Sequence, residues 1–576
     1  DSVNGQAEAR IGNHGRYELL GAVNVPLVND VLAMRVSGYY TKSDGYYHLI
    51  NQGGKSFGGD DHASGKLTLR YMPGDDWDII AKYELVRDRG DPSPNKNAST
   101  PDQLFGRLPG DPPNAWIGGP YDVNFNMLEG QKSYVDQDIF LLNVTRDWST
   151  GSLNLISGYQ DIADGLIVDP ASGNQPYLHN YYVSKVKVYS QEARLLQEIG
   201  ERVQIMAGVY YQYDRVRFGN ITTSSYGPLL GVNAEVHTRQ KRDSFAAFAE
   251  LQVKATDDIR INLSGRQMHE KKVFHFGRQL RDPAMPPGKF LPEPAYIRDS
   301  TSWNNFSPKA SIDWQPLEDV MLFASWTRGF KSGGYASIAT SLANSGPYDP
   351  EKIETFELGL KSFLFDHRLR LNITGFWNNL SDLQRQVNFI IDGMPNNIVF
   401  NAASAVTRGF EVEAEARPVP DLTLRGAVGY TDAYYKKFCA AFGLPGTPCD
   451  DGYGTPGAVD NSHLKLYNAP KWQLSASAEY AIGLGSAGTA TLFAEVEHVS
   501  SLYTTDNNWD SRRGPRTTVN ASLRWTSADE RFYGSVFAHN LFNERDIQQL
   551  IRAGTTLSIL NYTPPRRIGA SLGVRF

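Results

Sequence analysis

Hydrophobic and polar residues alternate with a period of two along nearly the whole chain. The pattern is plainest around 353–380, where Phe356, Leu358 and Leu360 alternate with Thr355, Glu357, Gly359 and Lys361. After Phe365-Asp366-His367 it resumes, with Leu369, Leu371, Ile373 and Trp377 on one face and Arg370, Asn372, Thr374 and Phe376 on the other. A period of two is that of a β-strand. Two strands joined by so short a turn pair antiparallel. One apolar face opposite one charged face means that each side meets a different medium.

The same alternation recurs in Tyr17, Leu19, Gly21, Val23 and Val25, in Leu32, Met34, Val36, Gly38 and Tyr40, and in Trp77, Ile79, Ala81, Tyr83 and Leu85. Short connections recur at 148–151, 199–202, 256–258, 315–319, 365–367, 418–421, 483–488 and 527–531. Between them the sequence predicts long loops at 88–136, 163–183, 219–239, 271–305, 329–352, 382–406, 433–471, 501–515 and 540–565. Structureless stretches of this length count against an ordinary soluble domain. They are expected of an outer-membrane barrel, with short turns on the periplasmic side and long loops outside. The alternating segments number about 22, an even count with both chain ends on the short-turn side. The first pair, around 7–11 and 17–26, is the weakest.

A sheet in hydrocarbon must close, because an unpaired edge leaves backbone groups without partners at several kcal/mol each. A soluble sandwich or propeller would need a core and a repeat, and no repeat of roughly 40 to 50 residues is present. The expected fold is all-β: a transmembrane antiparallel up-and-down β-barrel of about 22 strands, one domain over residues 1–576. A barrel this wide is plugged rather than filled by its own side chains. Nearly all of the chain is already strand or loop, so either a plug precedes Asp1 in the complete protein or the pore is open.

Composition supports this picture by exclusion. The chain is only 41% hydrophobic, and no run approaches the roughly 18 apolar residues of a spanning helix. A net charge of −6 without a basic block argues against nucleic acid as a partner. The eleven His residues lack metal-ligand spacing, and there is no phosphate-cradling loop or nucleophile elbow. No catalytic residue, metal site or cofactor is therefore expected. The two cysteines, Cys439 and Cys449, sit in a Gly/Pro-rich segment. In an oxidising compartment they would pin an outer loop by a bond worth about 3 kcal/mol; in a reducing one they would be free thiols.

With the apolar face outward, Val412 and Ala414, Leu492 and Val496, and Leu523 and Trp525 meet lipid. Glu411, Glu413 and Glu415 then line the lumen, with Arg425, Glu495, Glu497, Arg524 and Arg575. The Glu row reads first as a solvated wall. Ligand contacts are expected from aromatic and Arg residues of the long loops. The candidates are Trp116, Tyr121, Tyr181, Phe330, Tyr335, Tyr503, Trp509, Arg512 and Arg513. The competing reading of each aromatic is an interfacial girdle or loop-loop packing.

Several motifs carry information beyond this pattern. Asn540-Leu541-Phe542-Asn543, then Pro564-Pro565-Arg566-Arg567 leading into Ile568-Gly569-Ala570-Ser571-Leu572-Gly573-Val574-Arg575-Phe576, resembles the closing hairpin of TonB-dependent receptors. Phe306-Ser307-Pro308-Lys309, Arg328-Gly329-Phe330-Lys331, Glu357-Leu358-Gly359-Leu360-Lys361, Arg408-Gly409-Phe410-Glu411 and Asn468-Ala469-Pro470-Lys471 are similar to that family's barrel, in order. The resemblance implies an integral bacterial outer-membrane transporter, plugged and energised by the TonB complex. Contact with TonB would go through a segment ahead of Asp1. Phe576 would be part of the barrel-assembly signal read by the assembly machinery, besides being a lipid-facing aromatic. Lipid and lipopolysaccharide would surround the wall. The cargo expected first is a ferric siderophore, with cobalamin, an oligosaccharide or a small aromatic compound as alternatives. The family's haem-receptor loop motif is absent. Outside the family, the competing functions are a passive diffusion channel and, further off, an enzyme using the lumen acids.

Overall fold

The computed structural model describes residues 2–92, 94–106, 119–126, 132–173, 177–224, 233–282, 291–292, 294–339, 341–391, 394–440, 447–449, 458–508, 511–553 and 557–576, of which 387–391, 394–397 and 552–553 by backbone alone. Twenty-two antiparallel strands form one sheet that closes on itself. The first strand, Asn4–Gly12, pairs on one side with Arg16–Val28 and on the other with the last, Arg567–Arg575. The Gly5 N–H donates to the Phe576 carbonyl at 2.8 Å, and the Phe576 N–H donates back to Gly5 at 3.0 Å. Closure leaves no edge for the bilayer to starve of hydrogen bonds.

Register turns the alternation into surfaces. Between Glu351–Leu364 and Leu369–Ile391, Phe356 stands opposite Trp377, Leu358 opposite Gly375 and Leu360 opposite Ile373, so apolar groups form continuous outward rows. Leu358 is 67% exposed to the surroundings of the protein. A wall of such residues is stable only where those surroundings are hydrocarbon. No helix among the described residues is long and apolar enough to cross a membrane. The strands do the crossing.

Strand length corrects one expectation. Spanning takes about 9 to 11 residues, and strands near the seam have about that: 9 in Asn4–Gly12 and 8 in Phe532–His539. Elsewhere Leu178–Ile199 and Val203–Ser224 have 22 residues each, Leu369–Ile391 has 23 and Met394–Val419 has 26. Their outer parts stand clear of the bilayer. The stretches 163–183, 219–239, 271–305, 382–406 and 433–471, expected as loops, are therefore in part strand. Beyond the hydrocarbon neither face meets acyl chains, so the apolar alternation fades while the backbone ladder continues.

The true loops fold together at the outer end. The hairpin Ile547–Ala553 with Leu557–Tyr562 pairs with Lys96–Asn97, and Tyr47–Leu49 pairs with both Lys55–Phe57 and Asp122–Val123. These pairings make a crown over the barrel mouth, and most of the fully buried side chains lie in it or in the strand ends beneath it.

Candidate ligand-binding crown

Below the crown the inner wall is charged, and part of it neutralises itself. Glu411, Glu413 and Glu415 share the polar face of Met394–Val419. Glu415 lies 3.1 Å from Arg425, 3.2 Å from Arg417 and 3.6 Å from Arg370. Near the seam, Glu8, Arg10, Glu18, Arg16 and Asp60 form a chain of pairs, with the Tyr533 hydroxyl donating to Glu8 at 3.2 Å. Further out, Asp214 holds Arg242 at 2.7 Å, Arg242 reaches Glu270 at 3.5 Å, and Lys272 lies 3.2 Å from Glu270. The Ser332 hydroxyl also donates to Glu270. This wall offers a polar contents-facing surface on which part of the charge is paired, while Glu411, Glu413, Glu495 and Glu497 have no ion pair at contact distance among the described residues.

The crown sorts the candidate aromatics into packing and display. Tyr121 is buried in a cluster with Tyr47, Phe57, Phe125 and Ile167, against which Tyr181 also packs. Its hydroxyl donates to the Thr563 carbonyl at 2.9 Å, and burial pushes that hydroxyl up to about 12. Tyr335 stacks on Phe274 with ring centroids 4.7 Å apart, and its hydroxyl donates to Asp299 at 3.1 Å. Phe330 is half-buried on Val320–Lys331, opposite Lys352. These residues hold loops to each other and to strand ends.

Tyr503, Arg512 and Arg513 are brought together. In a small hairpin Tyr503 stands opposite Arg512 and Leu502 opposite Arg513. Arg512 is exposed and donates to the Ser501 hydroxyl at 3.0 Å. Arg513 is half-buried, and burial first, then the neighbouring Arg516, holds its guanidinium below its usual range. The Arg545 guanidinium lies 5.9 Å from the centroid of the Tyr121 ring. Trp116 and Trp509 lie outside the described residues. Cys439 and Cys449 are bonded to each other beside the stacked pair Tyr435 and Phe438.

One cluster escaped sequence reasoning. Arg385 lies between the rings of Tyr435 and Tyr467, at 5.6 and 5.5 Å from their centroids, with its Nε 3.5 Å from Asp506. The Tyr435 hydroxyl donates to Asp506 at 3.2 Å. Burial raises the Asp506 carboxyl, and Arg385 opposes that shift only in part. The four residues come from four separate stretches, so no local spacing reveals them. Among the described residues no group of three or more His, Cys, Asp and Glu is placed to hold a metal ion.

A closed 22-strand barrel with a lipid-facing wall, a charged lumen and a folded crown defines an outer-membrane receptor barrel. The model of the family "TonB dependent receptor-like, beta-barrel" matches residues 85–543, and the chain belongs to that family. A curated relative, the metal-pseudopaline receptor CntO of Pseudomonas aeruginosa, is 25% identical over 241 residues, 42% of this chain and 30% of that protein. The chain thus matches under a third of that relative's length. Among solved structures, the ferric yersiniabactin uptake receptor FyuA from Yersinia pestis superposes with a TM-score of 0.80 at 17% identity, over 100% of this chain and 80% of that one. The siderophore receptor PiuA from Acinetobacter baumannii superposes with a TM-score of 0.76 at 13% identity, over 100% and 82%.

Proposed function

We propose that the chain is the barrel of a receptor that imports a metal chelate, a ferric siderophore first, across the bacterial outer membrane with energy from the TonB complex. The observation that carries this reading is the Tyr503 hairpin. It displays one exposed and one half-buried guanidinium beside an aromatic ring at the crown of a closed barrel. Guanidinium groups bind carboxylate and similar oxyanions bidentately, and rings add flat apolar contact. An anionic chelate offers both partners. The relatives named for ferric yersiniabactin, siderophore and metal-pseudopaline support the same class of cargo. A plug from another part of the complete protein would sit against the paired charges of the inner wall and carry the segment that TonB engages.

The test is uptake of radiolabelled ferric siderophore by cells carrying the full-length protein. Uptake is expected to require TonB and to fall about tenfold in an Arg512→Gln, Arg513→Gln variant, since a charge-assisted hydrogen bond contributes about 1.5–3 kcal/mol. Uptake that persists without TonB, together with a large steady conductance of the full-length protein in planar bilayers, would replace this reading by a diffusion channel.

A further inference from the structure

Cations of the crown and upper wall commonly have a carboxylate within reach. Arg385 lies beside Asp506, Arg281 beside Glu235, Arg89 beside Asp136 and Arg242 beside Asp214. Next to the closing seam the pattern stops. Arg513, Arg516, Arg545 and Arg567 have no ion pair at contact distance among the described residues. The first two are half-buried and the last two exposed, and the buried Nε–H of Arg513 has no acceptor among those residues.

The four stand around one side of the lumen mouth. Arg516 begins the strand Arg516–Thr526 and shares the inward face with Thr518 and Asn520, and Asn520 lines a lumen cavity with Glu8 and Arg10. Arg513, in the Tyr503 hairpin, is close enough to feel the charges of Arg516 and Asp546, although Asp546 makes no ion pair with it. Arg567 stands opposite His539 and lines a cavity of about 100 Å³ with Arg10, Arg16 and Glu18. The acids there, Glu8 and Glu18, are already taken up by Arg10 and Arg16. The Arg545 guanidinium lies 5.9 Å from the Tyr121 ring, which the half-buried rings of Tyr46 and Tyr562 flank at 5.4 and 6.3 Å. Arg567 is close enough to act electrostatically on Tyr46. Further in, Glu497 and Glu495 stand opposite Thr518 and Asn520, two and four residues beyond Arg516, so the cations end where acids begin.

We propose that this side of the mouth is a binding site for polyanionic chelates, whose carboxylate or catecholate oxygens are held by Arg513, Arg516, Arg545 and Arg567 while their rings lie against Tyr46 and Tyr562. Guanidinium groups meet such oxygens bidentately and stack on flat groups. Like charges gathered at a cleft also raise the local concentration of an anion before any contact forms. A neutral chelate gains from neither effect. Glu497 and Glu495 give the site a floor, because an anion held above them is repelled further in. The inference rests on the cargo reading of the receptor and narrows it, from metal chelates in general to those that carry several negative charges.

The test titrates the full-length protein in detergent, at fixed salt, with a triply anionic ferric tris-catecholate, with an uncharged ferric trihydroxamate and with a metal-free tricarboxylate, binding being followed by calorimetry. The tris-catecholate is expected to bind at least about tenfold tighter than the trihydroxamate, and the variant Arg516→Gln, Arg567→Gln to weaken it by about tenfold for each arginine removed. Trihydroxamate binding is unchanged in that variant, and Arg408→Gln, on the outer wall, keeps the preference. Retarded migration of the unheated variants on a denaturing gel shows that the barrel is intact. A trihydroxamate bound as tightly as the tris-catecholate, or a preference that survives in the double variant, overturns the inference and leaves a chelate receptor of another selectivity. Binding of the tricarboxylate with no binding of either ferric chelate would instead overturn the cargo reading and keep the anion site. Absence of binding by both polyanions overturns the site itself.

Discussion

Asp214, Arg242 and Lys272 face the lumen on three adjacent strands, and Glu270 joins them into a network of alternating sign. Arg215, Lys241 and Lys271, each one residue away along the same strands, face outward and are all cations. A single step along a strand moves a side chain to the other face, so the two arrangements share one backbone and nearly one position. On the inside, burial makes an unpaired charge expensive, and each of these four charges has its counter-ion in the sheet. On the outside, Lys241 and Lys271 are exposed and Arg215 is half-buried, and although Asp243 stands opposite Lys271, none of the three cations has an ion pair at contact distance among the described residues. The difference identifies which face completes its own electrostatics and which leaves its charges to the surroundings.

Breaking the inner network has the largest expected effect. Glu270→Gln removes the carboxylate that Arg242, Lys272 and Ser332 share, and Glu270 and Lys272 are both nearly buried. Removing one member of a buried ion network costs about 3 kcal/mol because the remaining charge is stranded. Hydrogen exchange of the backbone around 268–274 is expected to speed up in the variant. An unchanged rate would mean that water already screens this part of the wall, and the contrast with the outer face would weaken.

A third arrangement, in the crown, lies between these two. Arg385 and Asp506 are paired and largely buried, yet burial raises the Asp506 carboxyl above its ordinary range despite the cation beside it. The packed crown therefore holds a proton on Asp506 more tightly than the separated chain does. Stability from this group is fully present at low pH and falls as pH rises from near the ordinary carboxylate value through the raised one. Protection of the backbone at 502–506, corrected for intrinsic exchange, is expected to drop over that window. Asp506→Asn should remove the pH dependence. A slope of the opposite sign would show that the Arg385 attraction outweighs desolvation.

Much of the barrel could be read from the chain because hydrocarbon imposes a rule on every second residue. Phe356, Leu358 and Leu360 show it directly, and the short turns at 365–367 and 483–488 follow from where it stops. Outside the membrane that rule lapses. Arg239, Lys271 and Arg298 lie in stretches that the pattern assigns to loops, although their backbones continue the ladder. Lys185-Val186-Lys187-Val188-Tyr189 does alternate in the sequence, but its meaning depends on which strands lie beside it. The crown is further from reach. Tyr121 and Tyr335 are recognisable as aromatic, but whether they pack or bind ligand depends on Thr563 and Phe274, far away in the chain. The Arg385 cluster has no local signature at all.

The smallest effect tests the outer face most directly, because it predicts a gain. Arg217 faces Lys185 on one side and Arg239 on the other, and Arg217 itself has no carboxylate partner among the described residues. Arg217→Glu converts two like-charge contacts into opposite ones, and cross-strand pairs of this kind contribute roughly 0.2–1 kcal/mol each. The thermal transition of the variant, followed by gel mobility of partly heated samples, is expected to rise by a degree or so at low salt and to return to the unaltered value at about 1 M salt, where the Debye length is about 3 Å. Arg408→Glu is the matched control, since Arg408 faces Asp432 and lies 5.1 Å from the Trp377 ring centroid. There the same change creates a like-charge pair and removes the cation from the ring, so the transition should fall. Equal shifts in both variants would mean that the cationic rows are solvated individually and that the two sectors of the rim do not differ in kind.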